Sequence, residues 1–357
     1  MAPGSKRVTL QTIADELGVS RTTVSNAYGR PDQLNRALRD RILATARRLG
    51  YAGPDALARS LRRGRAGALG LLFTETLPYA FGDPYAVGFL RGVAEVAEDS
   101  GIGLLLIPMP PGDEERAQGV VRDAAVDGFA VYCVSEGHPA LEVIRARGLP
   151  VVMTEQPKDP SVPFVGIDER AAARAAAAHL ARLGHRKIAV VADCVFEPGG
   201  RSRVDPAATD LSPCWDLRER LNGFREALEA VGVDWPAVTV ISAGRNTRDE
   251  GCLAAAEALD VAGRPTAVLA VSDVLALGVL DALAQRGLAA GRDVSVVGFD
   301  DVPEAGRAGL TTVRQPMVEK GRLVAELLLD PEPSDPAPRV VLPTELIVRT
   351  TSGPAPS

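Results

Sequence analysis

Apolar residues recur at helical spacing in three short segments near the start of the chain. Thr9, Ser20 and Asn35 precede these segments, and their side chains are typical of helix N-caps. A tight turn from Gly18 to Ser20 separates the first two segments, and a further short helix, DALARSLRRG, is predicted after Pro54. The pattern therefore predicts a helix-turn-helix unit followed by one additional short helix.

From Ala68 onward, short apolar runs alternate with amphipathic segments of about 10–15 residues. Examples of the apolar runs are ALGLLF, GLLLIP, KIAVVAD and VSVVGFD. Such an alternation predicts parallel sheets covered by helices, and it is too long for one small sheet. We therefore predict an all-α head followed by an α/β part that has two lobes and two parallel sheets.

Two irregular segments interrupt this alternation. The first, TETLPYAFGDPY, follows the first apolar run, and we expect its aromatic residues Tyr79, Phe81 and Tyr85 at the mouth of a cleft between the lobes. The second, residues 193–216, is rich in glycine, proline and aspartate. This composition predicts a mobile flap rather than a packed element.

Charge is distributed unevenly along the chain. Residues 1–65 contain thirteen lysine and arginine residues against five acidic residues, a net charge of +8. The remaining residues contain 27 bases and 41 acids, a net charge of −14, so the total of −6 hides the contrast. A basic head on an acidic body is typical of a nucleic-acid-binding module joined to a part with another function. The simpler alternative is a solvated basic helix face.

Several function classes lack their signatures in this sequence. No apolar run has the roughly 18 residues of a membrane helix, and the charged N-terminus does not resemble a secretory signal, so a cytoplasmic protein is expected. The four cysteines are scattered without a CxxC pair, which argues against a zinc site or a disulfide framework. A phosphate-binding loop and a dinucleotide fingerprint are missing, and no histidine has a nucleophile at catalytic spacing. We therefore expect no metal, no cofactor and no catalysis.

The start of the second helical segment has the composition of a recognition helix. Such a helix enters the major groove with short polar side chains and a few long donors at its N-terminal end. The side chains expected to reach base edges are those of Arg21, Thr22 and Asn26. The side chains expected to bind phosphate oxygens are those of Ser20, Thr23 and Ser25. The alternative is an ordinary serine- and threonine-rich helix start.

The head sequence VTLQTIADELGVSRTTVSNAYGRPD resembles the head of the LacI/GalR transcriptional regulators. The resemblance continues in order through GFLRGVAEVAEDSGIGLLL, VGIDERAAARAAAAHLARLGHRKIAVV, SDVLALGVLDALAQRGL and DVSVVGFDD, and so covers almost the whole chain. It implies a homodimer with an operator-binding head, a hinge helix and a two-lobed effector domain similar to periplasmic sugar-binding proteins. It also implies control by a small molecule such as a sugar or nucleoside. A repressor is favoured over an activator only by what is usual in the family.

The resemblance also implies domain boundaries. The DNA-binding domain is predicted at 1–53, the hinge helix and linker at 54–67, and the effector domain at 68–357. Within the effector domain, the first lobe is expected at about 68–164 and 314–330, and the second lobe at about 165–313 and 338–352.

In the hinge, Leu61 stands where the family has a leucine that wedges into the minor groove. An apolar wedge partly unstacks a base step, and the neighbouring Arg59 and Arg62 can neutralise the compressed groove. The alternative, that Leu61 packs in a small core, is weakened because its neighbours are mostly arginine, serine and glycine.

In the effector cleft, Arg220 matches the ligand-binding arginine of the family and Asp300 matches its ligand-binding aspartate. An arginine and a carboxylate facing one another can hold vicinal hydroxyl groups. Glu155 and Ser272 stand where many members have aspartate and asparagine, and Tyr85 offers a face for stacking on a sugar ring. A structural ion pair between Arg220 and Asp300 is the competing interpretation.

Other interpretations stay open at this stage. Asp168 and Asp273 precede helices and are interpreted as N-caps rather than ligands. A solute-binding protein would need a signal peptide and no basic head, and a sugar-modifying enzyme would need catalytic groups. A dimer is expected rather than a tetramer, because the tail SGPAPS has no apolar heptad helix.

Overall fold

A computed structural model describes residues 8–53, 64–73, 76–110, 112–134, 137–155, 159–193, 195, 200–261, 263–331 and 336–356. The chain divides into two compact units, Met1–Gly67 and Ala68–Ser357. Within the described residues, no helix combines the length and the apolar character required to cross a membrane.

The first unit is the predicted helix-turn-helix. Its helices are α1 (Leu10–Leu17), α2 (Arg21–Gly29) and α3 (Arg36–Arg48), with a 3-10 turn at Pro31–Gln33. Thr9, Ser20 and Asn35 cap the three helices as expected, and Gly18 ends α1 with a left-handed φ of 67°. The second helix extends to Gly29. The small core of this unit contains Leu10, Ile13, Ala14, Val24, Ala27, Ile42 and Ala46.

The first lobe of the second unit contains a six-stranded parallel sheet. Its strands, in spatial order, are β2 (Gly103–Pro108), β1 (Ala68–Phe73), β3 (Phe129–Tyr132), β4 (Val151–Met153), β5 (Phe164–Ile167) and β12 (Arg339–Leu342). Its helices are α4 (Leu77–Gly82), α5 (Pro84–Asp99), α6 (Glu114–Asp123), α7 (Pro139–Arg147) and α13 (Met317–Leu329). Helix α13 lies against α5 so closely that a Cβ atom on Gly92 would fall 1.9 Å from the carbonyl oxygen of Val318.

The second lobe contains a seven-stranded sheet with antiparallel strands at both edges. Its strands, in spatial order, are β13 (Glu345–Ile347), β11 (Thr311–Arg314), β10 (Ser295–Asp300), β9 (Ala267–Ala270), β6 (Ile188–Ala192), β8 (Thr239–Ser242) and β7 (Ser202–Val204). Its helices are α8 (Glu169–Arg182), α9 (Trp215–Glu229), α10 (Arg248–Leu259), α11 (Asp273–Gln285) and α12 (Pro303–Arg307), with 3-10 turns at Pro206–Leu211 and Trp235–Ala237. The predicted fold class, an α-helical head and a two-lobed α/β domain with two largely parallel sheets, is confirmed.

The predicted lobe boundaries are wrong at two strands. The sequence assigns 165–313 and 338–352 to the second lobe, but β5 and β12 pair with one another in the first sheet, with Arg339 opposite Phe164. After β12, the chain returns to the second sheet only at β13, after Pro343. Hydrophobic periodicity identifies a strand, but it does not reveal which sheet edge that strand completes.

The expectation of a mobile flap at 193–216 is also wrong for the described part of that segment. Strand β7 pairs antiparallel with β8, and the 3-10 turn at Pro206–Leu211 packs on the second lobe. The buried Trp235 donates its indole N–H to the carbonyl oxygen of Pro206 at 2.9 Å. Because a buried tryptophan needs a partner for its N–H, this bond fixes the segment against the lobe.

Candidate ligand cleft and recognition helix

Polar side chains of both lobes gather where the parallel strands end. Cys133 follows β3 and Glu155 lies two residues after β4, both in the first lobe. Ser272 lies two residues after β9 and Asp300 is the last residue of β10, both in the second lobe. Ligands of parallel α/β sheets bind outside the carboxyl ends of the strands, so these residues define a candidate ligand cleft.

Arg220, in the second turn of α9, is held by the second lobe. Its Nε donates to Glu169 Oε2 at 2.7 Å and its Nη1 donates to the carbonyl oxygen of Val271 at 2.6 Å. Its guanidinium carbon lies 4.0 Å from the centre of the Phe299 ring, and its side chain is 11% exposed. The ion pair of Arg220 is therefore with Glu169, the first residue of α8, and not with Asp300. No sequence motif identifies Glu169, whose only recognisable feature is its place next to the cap of α8.

The charge of Arg220 is stabilised by several carboxylates. Burial on its own lowers the pKa of this guanidinium, but Glu169, Asp300 and Asp216 together outweigh that effect and hold the pKa well above its usual value. Arg220 consequently carries a positive charge at any physiological pH, and it lies within the electrostatic reach of Asp300 although the two side chains do not form an ion pair.

Asp300 lies at the end of a hydrogen-bonded chain that joins the lobes. Its Oδ1 accepts from Gln315 Nε2 at 2.6 Å, and Gln315 Oε1 accepts from the Tyr85 hydroxyl at 3.1 Å. Lys320 Nζ donates to the same hydroxyl at 2.7 Å. Tyr85 and Lys320 come from α5 and α13 of the first lobe, whereas Asp300 comes from the second lobe. The hydrogen bonds thus cross from one lobe to the other through Gln315, a residue that belongs to no recognisable sequence motif.

Burial dominates the titration of Asp300. It raises the pKa of this carboxyl well above its usual value, and the carboxylates of Asp273 and Asp83 act in the same direction. Arg220 and the hydrogen bond from Gln315 oppose the increase. Asp300 also has a φ of 121°, a backbone conformation that residues other than glycine rarely adopt. Backbone strain of this kind is often found at ligand sites.

Asp273 supports the turn that follows Asp300. Its Oδ1 accepts from the Thr312 hydroxyl at 2.6 Å and its Oδ2 accepts from the backbone N–H of Val302 at 2.9 Å. Burial raises the pKa of Asp273 to about 7. The interpretation of Asp273 as an N-cap is wrong, because Ser272 caps α11 and Asp273 is its first helical residue.

Ser272 is occupied by its capping role. Its Oγ accepts from the backbone N–H of Leu275 at 3.2 Å and donates to Asn246 Oδ1 at 2.5 Å. Asp168, in contrast, is the expected N-cap, since it accepts from the backbone N–H of Ala171 at 2.9 Å and precedes α8.

The predicted aromatic residues do not gather at one place. Tyr85 is 8% exposed and its hydroxyl is hydrogen-bonded, whereas Phe81 is 58% exposed. The ring of Tyr79, in the first lobe, lies 5.8 Å from the guanidinium carbon of Arg245, which follows β8 in the second lobe. A cation–π contact therefore joins the lobes there, and Tyr85 enters the candidate cleft through its hydroxyl rather than a ring face.

Glu155 belongs to a cluster that spans the two lobes. Its carboxylate, the Cys133 thiol and the Asp216 carboxylate have ligand atoms that all lie within 4.8 Å of one another. Burial raises the pKa of Glu155 well above its usual value, helped by Asp216 and Glu169 and opposed by Lys320 and Arg218. Among the described residues, the Glu155 carboxylate forms neither a hydrogen bond nor an ion pair. Cys133 and Asp216 were not predicted, since neither belongs to a recognisable motif.

Helix α2, the predicted recognition helix, buries two apolar residues and leaves polar residues on its outer face. Val24 and Ala27 are buried, whereas Arg21 and Thr22 are exposed. The Ser20 hydroxyl oxygen accepts from the backbone N–H of Thr23 at 3.0 Å and lies 2.8 Å from its hydroxyl oxygen. The other predicted contacts are half-buried, and they are Ser25 and Asn26. The predicted hinge residues Arg59, Leu61 and Arg62 lie outside the described residues.

Comparisons with known proteins extend over both units. Residues 177–352 match the family model of the periplasmic-binding-protein-like domain. An HTH-type transcriptional regulator of Mycobacterium tuberculosis is 46% identical over 353 residues, which are 98% of this chain and 98% of that protein. The crystal structure of a LacI-family regulator from Corynebacterium glutamicum has a TM-score of 0.75 at 39% identity and covers 97% of this chain and 99% of its own. A structure of the regulator CelR in complex with cellobiose has a TM-score of 0.69 at 30% identity, and covers 97% of this chain and 100% of its own.

These relatives match the helix-turn-helix head together with both lobes, which disfavours the interpretation as a solute-binding protein without a DNA-binding role. Since similarity of this extent runs through nearly the whole chain, the chain belongs to the LacI/GalR family of DNA-binding transcriptional regulators.

Proposed function

We propose that this regulator is a repressor that binds a pseudo-palindromic operator as a homodimer and releases or holds it in response to a sugar-like effector bound between the lobes. The observation that carries the proposal is the set of buried polar side chains contributed by both lobes to one cleft. Two relatives agree with it, because one is named a ribose operon repressor of Escherichia coli and another, CelR, is found in complex with cellobiose.

The second-lobe side of the cleft retains capacity for a ligand. Arg220 uses Nε and Nη1 for Glu169 and Val271, and among the described residues its Nη2 has no hydrogen-bond partner. Asp300 uses Oδ1 for Gln315, and within the described part of the chain its Oδ2 has none. A guanidinium donor and a carboxylate acceptor that remain unoccupied can together hold neighbouring hydroxyl groups of a sugar.

The first-lobe side adds acceptors and one hydroxyl. We assign Glu155 and the Tyr85 hydroxyl to effector binding. On the second-lobe side, Ser272 can contact the effector only if its hydroxyl gives up its hydrogen bond to Asn246. A ligand that binds groups of both lobes at once favours the arrangement in which they are close. Its differential affinity for that arrangement shifts the population between states with different operator affinity.

The head supplies operator recognition. A helix-turn-helix dimer places one recognition helix in each of two half-sites, so operator symmetry follows that of the protein. We assign Arg21, Thr22 and Asn26 to base edges, with Ser20, Thr23 and Ser25 on phosphates. The hinge residues Arg59, Leu61 and Arg62 are assigned to the minor groove.

The test starts from an operator selected from random duplexes by the full-length protein. We expect a two-fold symmetric site, an affinity that falls by about 0.9 log units per log unit of salt for each phosphate neutralised, and a change in operator affinity on addition of a sugar. By linkage, the operator must change sugar affinity by the same factor. An asymmetric site bound by a single chain would contradict the homodimer, and an operator affinity unaffected by every sugar that binds would contradict effector control.

Arg21→Ala and Ser25→Ala form a matched pair for the head. Arg21→Ala should change base preference by roughly 1–3 kcal/mol at one operator position, whereas Ser25→Ala should weaken binding to all sequences equally. Affinities across single-base operator variants measure both effects. An unchanged rank order for Arg21→Ala would assign Arg21 to a phosphate instead.

A further inference from the structure

Three acidic side chains converge between the lobes, and we call Cys133, Glu155 and Asp216 the interlobe cluster. Glu155 is buried, with 8% of its surface exposed, whereas the other two are half-buried. Among the residues that the structure describes, none of the three side chains has a hydrogen-bond or ion-pair partner. A buried polar group without a partner costs free energy, so a group that binds all three is what this cluster lacks.

Backbone pairing sets the positions of the two first-lobe members. Strands β3 and β4 are parallel, with Val131 opposite Met153. The same register, continued by two residues, places Cys133 beside Glu155 with both side chains on one side of the strands. Asp216 comes from the second lobe, in the first turn of α9. The interlobe cluster thus combines three segments that are distant in sequence, which is why ligand spacing along the chain predicts no metal site.

Positively charged side chains surround the interlobe cluster without pairing with it. Three of them exert an electrostatic influence on its members, namely Arg218, Arg220 and Lys320. A fourth, Arg245, lies at the same edge of the second sheet, against the ring of Tyr79. One thiolate and two carboxylates around a divalent cation leave one negative charge in excess, and these side chains offset it. The surrounding charge is therefore compatible with a bound divalent cation.

The combination of a thiol with two carboxylates determines which cation fits. Ca²⁺ and Mg²⁺ prefer ligands that are all oxygen atoms, whereas Zn²⁺ binds thiolate and carboxylate groups in tetrahedral sites. Bonds from Zn²⁺ are about 2.0–2.3 Å long, which places neighbouring ligand atoms about 3.5 Å apart. The ligand atoms of the interlobe cluster all lie within 4.8 Å of one another. A slight closure of the lobes therefore brings them to the spacing that Zn²⁺ requires.

We propose that Cys133, Glu155 and Asp216 bind one Zn²⁺ ion, which connects the two lobes. The thiol releases its proton to solvent when its sulfur coordinates the ion. Three protein ligands leave one tetrahedral position open, and this position takes a water molecule or a hydroxyl group. Glu155 then contacts the effector through the ion, a point that rests on the proposed function. Because ligands of both lobes hold the ion, its binding favours their closer arrangement and is linked to that of the effector.

A titration of the metal-free, reduced full-length protein with Co²⁺ tests the site, because Co²⁺ accepts the same ligands as Zn²⁺ and its thiolate complexes absorb light. We expect one Co²⁺ ion per chain, with a thiolate-to-metal absorption band. Zn²⁺ should displace the Co²⁺, whereas equal concentrations of Mg²⁺ or Ca²⁺ should not, since both prefer oxygen ligands. A titration without the thiolate band, or displacement by Mg²⁺ or Ca²⁺, would overturn the proposal.

Substitutions assign the ligands one at a time. Cys133→Ser should abolish the absorption band, and Asp216→Asn should weaken Zn²⁺ binding at least about tenfold, which corresponds to 1.4 kcal/mol, in competition with a chromophoric chelator. Because Asp216 is half-buried in the first turn of α9, its variant tests the site even where Cys133→Ser does not fold. The matched controls Cys252→Ser and Glu142→Gln should change neither result. Loss of the band in Cys214→Ser, or full Zn²⁺ affinity in Asp216→Asn, would overturn the assignment.

Measurements of sugar and operator binding, with and without Zn²⁺, separate this site from the proposed function. With ribose and cellobiose as probes, removal of Zn²⁺ by a chelator should weaken sugar binding at least about tenfold, and Glu155→Gln should remove this dependence. Sugar binding that does not depend on Zn²⁺ would overturn the link to the effector. Loss of the ion site with sugar control of the operator intact would overturn the present proposal alone. An ion site as expected, with operator affinity unaffected by every sugar that binds, would instead contradict the proposed function.

Discussion

The two sides of the candidate ligand cleft differ in how fully their polar groups are hydrogen-bonded within the protein. On the second-lobe side, Arg220 is fixed by Glu169, by a backbone carbonyl and by the Phe299 ring, and Asp300 is held by Gln315. On the first-lobe side, Glu155 faces other acidic groups and has no donor among the described residues. The polar groups of the second-lobe side are paired with other groups of the protein, whereas the Glu155 carboxylate on the first-lobe side lies among acidic groups.

This difference has a consequence for stability. Side chains that are already paired contribute to the fold, so their removal leaves a buried partner unsatisfied. A side chain that lacks a partner costs free energy in the empty protein, and its removal relieves that cost. Substitutions on the two sides should therefore change the free energy of unfolding in opposite directions, although both should weaken effector binding.

The largest effect is expected for Arg220→Ala. It leaves the buried carboxylate of Glu169 without its counter-ion, and breaking a buried pair in this way costs about 3–5 kcal/mol of unfolding free energy. Urea denaturation, followed by a spectroscopic signal of the effector domain, measures the loss of unfolding free energy. Arg218→Ala, which removes a bond to a backbone carbonyl and no ion pair among the described residues, is the control and should cost much less.

Arg220→Ala should also weaken effector binding by at least about tenfold, because a hydrogen bond to a charged group contributes roughly 1.5–3 kcal/mol. Double substitution with Glu169→Gln tests the assignment. If the double variant regains stability but not effector affinity, Arg220 has both roles. Full effector affinity in a folded Arg220→Ala protein would place the ligand elsewhere.

A smaller loss of unfolding free energy is expected for Gln315→Leu, which interrupts the hydrogen bonds between the lobes. The buried carboxylate of Asp300 then loses its donor, whereas the Tyr85 hydroxyl keeps Lys320. An unsatisfied buried group costs about 1–3 kcal/mol. Since Gln315 links the lobes, the coupling factor between effector and operator should fall as well. An unchanged coupling factor would show that the lobes communicate by another route.

A gain in stability is expected for Glu155→Gln without ligand. Burial raises the pKa of Glu155 above its unfolded value, so the folded protein holds a proton that the unfolded chain releases as the pH rises. Stability is therefore lost between the unfolded and the folded pKa, and glutamine has no such loss. We expect a larger gain in the free energy of unfolding at pH 8 than at pH 5, measured by denaturation at both values. Equal effects at both pH values would contradict an ionised, unpaired Glu155.

The elements of this fold could be predicted from sequence because they follow local rules. Thr9, Ser20 and Asn35 cap the helices of the head, and the apolar runs after Ala68 are strands. Which sheet a strand joins is a long-range property. Strand β12 at Arg339–Leu342 was assigned to the wrong lobe for this reason. The described part of the 193–216 segment is held at Pro206 by Trp235, which lies further along the chain.

Only some residues of the candidate site could be predicted from the sequence. Family resemblance gave Arg220 and Asp300, but their partners Glu169 and Gln315 lie in other segments and belong to no motif. The cluster of Cys133, Glu155 and Asp216 joins three distant segments, so only tertiary structure brings these residues together. The function class could be predicted from sequence because the head and the lobes each have a recognisable pattern, whereas the partners of the cleft residues follow from tertiary contacts alone.

The smallest expected effect concerns the reactivity of Cys133. Burial raises the pKa of this thiol well above its usual value, and Asp216 and Glu155 add to the increase. Because the thiolate is the nucleophile, Cys133 should react with iodoacetamide more slowly than a free cysteine at pH 8. Glu155→Gln removes one of the negative charges and should therefore speed the reaction severalfold, whereas Glu142→Gln should not. Mass spectrometry of the Cys133 peptide measures each rate, and the alkylation of Cys252 in the same sample corrects for reagent. An unchanged rate in Glu155→Gln would mean that Glu155 is neutral in the empty protein, and the contrast between the two sides of the cleft would then be one of hydrogen bonding rather than charge.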